Sequence, residues 1–262
     1  MIPKIIHFVW VGGAPKPPEV LACIESWRRN CPGWEIREWG DDFARASGNR
    51  YVAEAFKHGK WAFVSDWIRL AVLVRYGGFY LDTDVEVNRS FDPLCDERFV
   101  IGWERQNGKT IFGSGIIGSA VDGEVAKGLL SLYDDLQFVR SDGELDQTPN
   151  TVRYVDYFDR AWNVRPSDGD DTVRFGDGGV VLPCSAFVSR EGFAIHHFSA
   201  TWLDAWLRKV WVRLGPYKLV RFKRRKEVAD CAIRLLDGER RILSLPIGAR
   251  KRIVLVKGVD GR

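Results

Sequence analysis

The sequence has 262 residues, of which 45% are hydrophobic and 28% are charged, and its formal net charge is +4. This composition is typical of a folded globular protein and excludes a disordered or low-complexity chain. No apolar run reaches roughly 20 residues, the length of a membrane-spanning helix, and no secretory signal sequence is recognisable. The five cysteines lack C-x-x-C spacing, so we expect reduced thiols in a cytoplasmic protein rather than disulfides or a zinc site.

The first apolar segment, residues 2–11, runs into a pair of glycines and predicts a buried strand followed by a turn. Ligands of open α/β sheets collect beyond the carboxyl ends of the strands. Trp10 and Gly12 are therefore candidates for stacking on and hydrogen-bonding a nucleotide base, although Trp10 would serve equally well as a cap on the core. His7 lies inside the apolar strand and is predicted to be a hydrogen-bonded core histidine.

Helical and extended patterns alternate through the next segment. Residues 19–30 predict a helix, residues 34–39 a strand and residues 41–58 a loosely helical region. In residues 61–75 the apolar positions recur with helical spacing, and this helix carries Asp66 and Arg69 on one side because they are three positions apart. The glycine pair at 77–78 supplies the positive φ that commonly ends a helix.

After the glycine pair the pattern changes to a period of two, which predicts a strand over residues 79–87. Tyr80, Asp82, Asp84 and Glu86 share one face of that strand. Three carboxylates on one face repel each other unless water or a cation lies among them, and a divalent metal with oxygen ligands explains the pattern. The alternative is a solvated edge strand whose acidic side chains merely face water.

The segment SDWIRLAVLVRYGGFYLDTDV, residues 65–85, resembles the sugar-nucleotide-binding region of glycosyltransferase family 32. That family is related to the glucosyltransferase domains of the large clostridial toxins. Asp66, Arg69, the Tyr-Gly-Gly of residues 76–78 and the Asp-Thr-Asp of residues 82–84 carry the resemblance, together with the opening I-P-K-I-I-H-x-x-W. The resemblance covers roughly residues 1–206. It implies one α/β domain of the GT-A type, with helices around a mostly parallel sheet.

The resemblance also implies a chemistry. Asp82 and Asp84 would hold Mn²⁺ or Mg²⁺ against the diphosphate of a UDP- or GDP-sugar, and Asp66 and Arg69 would contact the sugar hydroxyls. Tyr80 would line the donor pocket. The implied catalytic residues are thus Asp66, Arg69, Asp82 and Asp84. The implied donor-binding residues are Trp10, Gly12, Asp66, Arg69, Tyr80 and Asp82.

The reaction that the resemblance implies is transfer of a hexose to a glycan acceptor, with retention of configuration. The acceptor glycan could be linked to a lipid. The expected setting of the reaction is the synthesis of a bacterial-type surface polysaccharide such as capsule, exopolysaccharide or lipopolysaccharide. Two other classes stay open at this point. One is a metal-dependent hydrolase of nucleotide sugars, and the other is a non-catalytic sugar-nucleotide-binding protein.

Two later segments are candidates for the acceptor side, the part of the site that binds the acceptor. Residues 111–119 are glycine-rich, and the resemblance makes Ser114 and Gly115 acceptor-side candidates. Residues 141–179 are polar and glycine-rich and predict a solvated loop, with an acceptor-side lid as the alternative. Residues 180–188 predict a strand.

Paired histidines at 196 and 197 precede a predicted helix, and neutral imidazole complements two carboxylates in a metal site. Members of family 32 carry a similar His-His-aromatic segment followed by Ser and Trp. Here Ser199 follows Phe198 directly, which departs from the family and leaves the roles of Ser199 and Trp202 open. We predict His197, in preference to His196, as the metal or diphosphate ligand.

The C-terminal region differs from the rest in charge. Residues 1–204 contain 22 Lys and Arg and 30 Asp and Glu, whereas residues 205–262 contain 17 and 5, so the net charges are −8 and +12. We predict a glycosyltransferase domain over residues 1–206 and a basic, helical extension over 207–262, with strand-like pieces at 242–245 and 253–256. No zinc-finger, helix-turn-helix or RNA-binding pattern accompanies the charge, so nucleic acid is not the expected partner. The expected partner of the basic extension is an anionic membrane surface. The alternative is an ordinary basic face that only contacts solvent.

Overall fold

The computed structural model describes residues 1–106, 108–166, 170–176, 178–197, 206–214, 217–224, 240–246 and 251–257. The chain divides into two compact units, Met1–Phe198 and Ser199–Arg262. Across the described ranges, no helix combines the length and apolar character needed to cross a membrane.

A seven-stranded sheet forms the centre of the N-terminal unit, and a two-stranded sheet lies beside it. In chain order the strands are β1 (Ile5–Val9), β2 (Glu35–Trp39), β3 (Gly78–Leu81), β4 (Val85–Val87), β5 (Phe99–Gln106), β6 (Lys109–Ser119), β7 (Val173–Phe175), β8 (Gly179–Leu182) and β9 (Ala194–His196). The spatial order of the large sheet is β2-β1-β3-β6-β5-β8-β7, and β4 pairs with β9. Five of the seven strands run in one direction, while β6 and β7 run in the other. The predicted mostly parallel α/β sheet is confirmed.

Helices cover both faces of this sheet. They are α1 (Pro18–Asn30), α2 (Asp41–Arg45), α3 (Arg50–Lys57), α4 (Trp61–Tyr76), α5 (Glu124–Ser131), α6 (Asn150–Trp162) and α7 (Ser185–Val188). Tyr80 packs into one hydrophobic core with Ile68 of α4, whereas its neighbour Phe79 packs into the other core with Trp27 of α1. Because both faces are covered, every residue of β3 is buried.

The glycine pair between α4 and β3 is required by close packing as well as by its backbone. Gly77 and Gly78 have φ of 63° and 99°. A Cβ atom would lie 2.7 Å from the Pro3 Cδ at Gly77 and 2.6 Å from the Ile5 carbonyl oxygen at Gly78. The predicted helix stop is thus confirmed, and it places α4 directly against the first strand.

His7 is the core histidine that the sequence predicts. Its Nε2–H donates to the Gly77 carbonyl at 2.7 Å, and its Nδ1 accepts from the Trp39 indole at 3.1 Å. Burial lowers the pKa of His7 to about 4. Both ring nitrogens form hydrogen bonds within the fold, so His7 has a structural role.

The continuous strand predicted over residues 79–87 is wrong. Strand β3 ends at Leu81, residues 82–84 form a turn, and the chain continues as β4 in the small sheet. The Asp82 amide donates to the Gly115 carbonyl at 2.8 Å, and the Val85 amide donates to the Asp82 carbonyl at 3.1 Å. The second bond closes a turn, which redirects the chain out of the large sheet.

Two further local predictions are corrected. The predicted loop over residues 141–179 contains α6, whose Tyr154 and Phe158 are fully buried and four positions apart, on one face of a helix. The polar and glycine-rich flanks conceal this short apolar pattern in the sequence. The strand predicted over 180–188 ends at Leu182, and α7 follows.

The C-terminal unit contains a four-stranded antiparallel sheet. Its strands are β10 (Trp206–Leu214), β11 (Tyr217–Arg224), β12 (Arg240–Pro246) and β13 (Lys251–Lys257), in the order β10-β11-β13-β12. The helical extension predicted over 207–262 is therefore wrong over residues 207–214 and 217–224, whereas the two strand-like pieces near the end are confirmed. Branched and aromatic residues favour strands. Across the sheet, Val220 pairs with Val210 and Val254.

Candidate functional site

Three side chains converge at the turn between β3 and β4. Asp82 and Asp84 belong to the turn, and His196 ends β9, where it pairs with Val85 of β4. Their ligand atoms all lie within 4.8 Å of one another. The Nε2 of His196 lies 3.3 Å from the Asp84 Oδ1 and 4.0 Å from the Asp82 Oδ2. Two carboxylates and an imidazole in this arrangement can hold a divalent cation.

His197, the ligand predicted from the sequence, does not join this cluster. Its Nε2 lies 3.2 Å from the Glu86 Oε2, and the side chain is nearly half exposed. Only its backbone reaches the turn, where the His197 amide donates to the Asp84 carbonyl at 3.0 Å. The register of β9 against β4 decides which histidine faces the carboxylates, and the structure gives that place to His196.

Glycines on β6 make the space that His196 occupies. Gly113 and Gly115 lie on the same face of the strand because they are two positions apart. A Cβ atom at Gly115 would lie 2.5 Å from the Cε1 of His196, and one at Gly113 would lie 3.3 Å from the Oε2 of Glu104. We call these two glycines the glycine floor. Gly115, predicted as an acceptor-side residue, is thus in contact with the cluster.

On the side of the turn opposite the glycine floor, α4 supplies an ion pair that is almost completely buried. The Nη2 of Arg69 lies 2.8 Å from the Asp66 Oδ1 and 3.4 Å from the Asp82 Oδ1. Its Nη1 donates to the Ser114 carbonyl at 2.6 Å. Asp66 and Arg69 are only 8% and 3% exposed. Arg69 therefore ties α4, β6 and the turn together.

Two more side chains complete this network. The Asn150 amide, from α6, donates to the Asp66 Oδ1 at 2.8 Å. The Tyr80 hydroxyl donates to the Asp82 Oδ1 at 2.8 Å, and the Arg69 guanidinium lies over the Tyr80 ring at 4.6 Å. Asn150 is not among the residues predicted from the sequence, because the helix that carries it was predicted as a loop. Tyr80 is buried behind Asp82, and its predicted contact with the donor stays a prediction.

Burial and neighbouring charges together set the pKa values of the site. Burial raises the pKa of Asp66 to about 6 against the opposing charge of Arg69, and Asp82 raises that pKa further. For His196, burial lowers the pKa, but the hydrogen bond to Asp84 and the charges of Asp82 and Asp84 outweigh it, so the net shift is upward. The negative potential that attracts a proton to His196 would equally attract a cation.

Comparison with known proteins identifies the segment that contains most of these residues. Residues 17–100 match the family described as a glycosyltransferase sugar-binding region containing a DXD motif. Asp82 and Asp84 are the two acidic residues of that motif. This part of the chain is therefore similar to the sugar-binding region of DXD-containing glycosyltransferases. The sugar-binding region includes Asp66, Arg69, Tyr80, Asp82 and Asp84, whereas His196, Glu104 and Asn150 lie outside it.

Two curated relatives are similar over nearly half of the chain. An uncharacterized glycosyltransferase, L373, of Acanthamoeba polyphaga mimivirus is 30% identical over 129 residues, which are 45% of this chain and 50% of that protein. Inositol phosphoceramide mannosyltransferase 3 of Schizosaccharomyces pombe is 29% identical over 131 residues, which are 45% of this chain and 33% of that protein. The matches thus span half or less of each relative's length.

Among solved structures, the PaToxG glycosyltransferase is similar with a TM-score of 0.41 and 20% identity. The similarity covers 50% of this chain and 60% of that one. The sheet order and the strand directions given above define the fold of the present chain.

Trp10 and Gly12 lie just before the sugar-binding region, after the carboxyl end of β1. Strand β1 is the parallel neighbour of β3, so both residues lie at the same sheet edge as Asp82. The Trp10 indole donates to the Ala14 carbonyl at 2.6 Å, and the Gly12 amide donates to the Asp41 Oδ1 at 2.7 Å. Their position agrees with the predicted edge, and their contact with a nucleotide stays a prediction.

Glu104, on β5, was not singled out in the sequence. It lines a small cavity together with the glycine floor, His196, Phe187 and Val188. Burial raises the pKa of Glu104 to about 7; the charge of His196 opposes this shift, and the charges of Asp82 and Asp84 add to it. A single acidic residue in an apolar strand gives no signal in the sequence, since only the β5–β6 pairing places it beside the cluster.

Proposed function

We propose that this chain is a metal-dependent glycosyltransferase that transfers a hexose from a UDP- or GDP-sugar to a hydroxyl of a glycan acceptor. The observation that carries the proposal is the convergence of Asp82, Asp84 and His196 within 4.8 Å, at the DXD motif of a sugar-binding region. The GT-A type of fold and retention of configuration are carried over from the family that the sequence resembles.

The donor set fits Mn²⁺ or Mg²⁺. Both cations accept carboxylate oxygens, and Mn²⁺ also accepts imidazole nitrogen. Gly115 leaves room for the imidazole, and the Tyr80 hydroxyl and Arg69 hold Asp82 in place. When bound, the cation would neutralise the charge that develops on the leaving diphosphate.

The remaining roles follow from position. Asp66 and Arg69 form the floor of the donor site, and we assign the donor sugar hydroxyls to the edge of Asp66 that is still exposed, 11% of its side chain. Trp10 and Gly12 would bind the nucleotide base at the same sheet edge. A buried ion pair held by Ser114 and Asn150 is rigid, and rigid positioning of a substrate lowers the barrier to reaction.

The acceptor and pathway are proposed more broadly. The yeast relative is named as a mannosyltransferase of inositol phosphoceramide, so a mannosyl donor belongs in the first set of substrates. Glycans of bacterial-type surface polysaccharides, including lipid-linked ones, are the acceptors that the resemblance to family 32 favours.

A thermal-shift and turnover series tests the proposal. Mn²⁺ with UDP or GDP should raise the melting temperature by mass action, and the matching nucleotide sugar should release its nucleotide faster when an acceptor glycan is added. EDTA should abolish both effects. Full activity in excess EDTA would contradict the metal site, and nucleotide release independent of any acceptor would identify a hydrolase instead.

We also propose that the C-terminal unit binds anionic membrane surfaces. Its four strands contain twelve Lys and Arg residues and no acidic residue. Each basic residue near an anionic bilayer contributes about 1 kcal/mol. Changing the exposed residues Arg241, Lys251 and Arg252 to Ser should therefore weaken sedimentation with phosphatidylserine vesicles about 100-fold. Binding that ignores both this change and added salt would contradict the proposal.

A further inference from the structure

Glu104 differs from every other acidic side chain of the site in what surrounds it. Its Oε2 lies 3.3 Å from the position that a Cβ of Gly113 would occupy, so the carboxyl group extends over the glycine floor. His196 borders the same cavity from β9. Glu104 is nevertheless not a member of the metal cluster, which within the described ranges consists of Asp82, Asp84 and His196.

No described residue donates a hydrogen bond to the Glu104 carboxyl or forms an ion pair with it. Asp66, by comparison, receives one donor from Arg69 and one from Asn150. A partly buried carboxylate that lacks donors is unfavourable, and the fold usually supplies them. A partner from outside the chain would satisfy Glu104.

The walls of the cavity indicate what that partner is. Glycines at positions 102, 113 and 115 remove side chains from the facing strands β5 and β6, and Phe187 and Val188 add an apolar wall. A sugar ring has an apolar C–H face and a rim of hydroxyl donors, which match an apolar wall and a carboxylate acceptor. The cavity also adjoins the cluster that would hold the diphosphate, so a sugar at the reaction centre lies within reach.

Resting on the proposed function, we propose that the Glu104 carboxylate accepts a hydrogen bond from a sugar hydroxyl at the reaction centre. The sugar is either the donor hexose or the acceptor residue, because both present hydroxyls of the same chemistry. Glu104 would thus be a substrate-contacting residue of the transfer, outside the segment that matches the sugar-binding family.

The test compares Glu104→Gln with the unmutated protein and with Glu191→Gln, a control that changes an exposed carboxylate. Steady-state kinetics with varied acceptor and with varied donor should show a rise in one KM or a fall in kcat of about 10- to 100-fold for Glu104→Gln. Glu191→Gln should behave as the unmutated protein. Stabilisation by Mn²⁺ and nucleoside diphosphate should change less than twofold in either variant.

Two further arms identify the sugar. Donor hydrolysis without acceptor is impaired in Glu104→Gln if the bond is made to the donor hexose, and it is unchanged if the bond is made to the acceptor. A deoxy analogue that lacks the bonded hydroxyl should be used equally well by the variant and by the unmutated protein.

Three results would overturn the inference: unchanged kinetics in Glu104→Gln, a loss equal to that in Glu191→Gln, or loss of Mn²⁺–nucleotide stabilisation. The last result would place Glu104 in the metal site. Failure of the proposed function looks different, because the unmutated protein would then transfer no sugar. In that case, saturation-transfer NMR with an oligosaccharide decides the inference, since sugar binding that Glu104→Gln does not weaken contradicts it.

Discussion

The two sides of the turn that carries Asp82 and Asp84 are built differently. On the α4 side, Asp66 and Arg69 are nearly inaccessible to solvent, and both have internal hydrogen-bond partners. On the side of the glycine floor, Glu104 has no donor among the described residues and lines a cavity. The α4 side thus has mainly the properties of a support that fixes the turn, with only an edge of Asp66 exposed, whereas the other side has those of a surface that receives a ligand.

Removing Arg69 should break the supporting side, with the largest effect. Arg69→Met leaves the Asp66 and Asp82 carboxylates without their buried cation, and loss of one partner of a buried ion pair costs about 3–5 kcal/mol. The free energy of unfolding from urea titration measures it. Arg75→Met, which changes an exposed arginine of the same helix, is the control and should cost less than about 0.5 kcal/mol. Equal losses in the two variants would show that the network does not support the turn.

Asp84→Ala should remove the proposed metal site, which lies between the two sides. We expect a fall in turnover of at least ~10²-fold, the scale of one lost transition-state contact, and no stabilisation by Mn²⁺ with nucleoside diphosphate. Glu86→Ala is the matched control, because Glu86 lies two positions away and its carboxylate pairs with His197. Comparable losses in both variants would mean that general acidity of the segment, and not a metal at Asp84, matters.

The two neighbouring histidines sharpen the comparison. His196→Ala should weaken Mn²⁺ binding at least about tenfold, because the loss of a ligand exceeds the usual loss of a supporting residue. His197→Ala should leave Mn²⁺ binding within about twofold, since its ring lies at Glu86. Titration of the metal followed by paramagnetic relaxation of water measures both variants. A stronger effect at His197 would restore the ligand that the sequence pattern suggested.

The smallest expected effect comes from the glycine floor itself. Gly115→Ala would place a Cβ atom 2.5 Å from the His196 ring, so the ring must move, and we expect Mn²⁺ binding to weaken by about 1 kcal/mol. Gly113→Ala would place its Cβ atom 3.3 Å from a movable Glu104 oxygen, so Mn²⁺ binding should hardly change. If Gly113→Ala weakened the metal as much as Gly115→Ala, the floor would act through β6 as a whole.

The sequence predicts those parts of the site that depend on local pattern. Asp66 and Arg69 share a helix face because of their spacing, and the glycine pair ends that helix because few other residues adopt its backbone angles. Asp82 and Asp84 are recognisable as candidates because carboxylates next to apolar residues are energetically unfavourable. These features lie within about twenty residues of each other, so no long-range pairing is needed to find them.

The features that the sequence analysis missed depend on distant pairing. His196 rather than His197 faces the turn because of the register between β4 and β9, which join segments more than a hundred residues apart. Glu104 reaches the cavity through the β5–β6 pairing, and Asn150 through the packing of α6. In the C-terminal unit the apolar positions fit helical and extended periods alike. Whether this segment forms helix or sheet is decided by pairing between strands, which the sequence of a single segment cannot reveal.

The position of His196 in the chain has a consequence for biosynthesis. Asp82 and Asp84 leave the ribosome before their third partner, which follows Asp84 by 112 residues. At about 5–20 residues per second, translation of that interval takes roughly 6–22 s. During this time the nascent chain presents two acidic side chains without the imidazole, and β4 lacks its pairing partner β9. The candidate cation site is therefore completed only after residue 196 has emerged, so a nascent chain halted before that residue should hold Mn²⁺ more weakly than the finished protein.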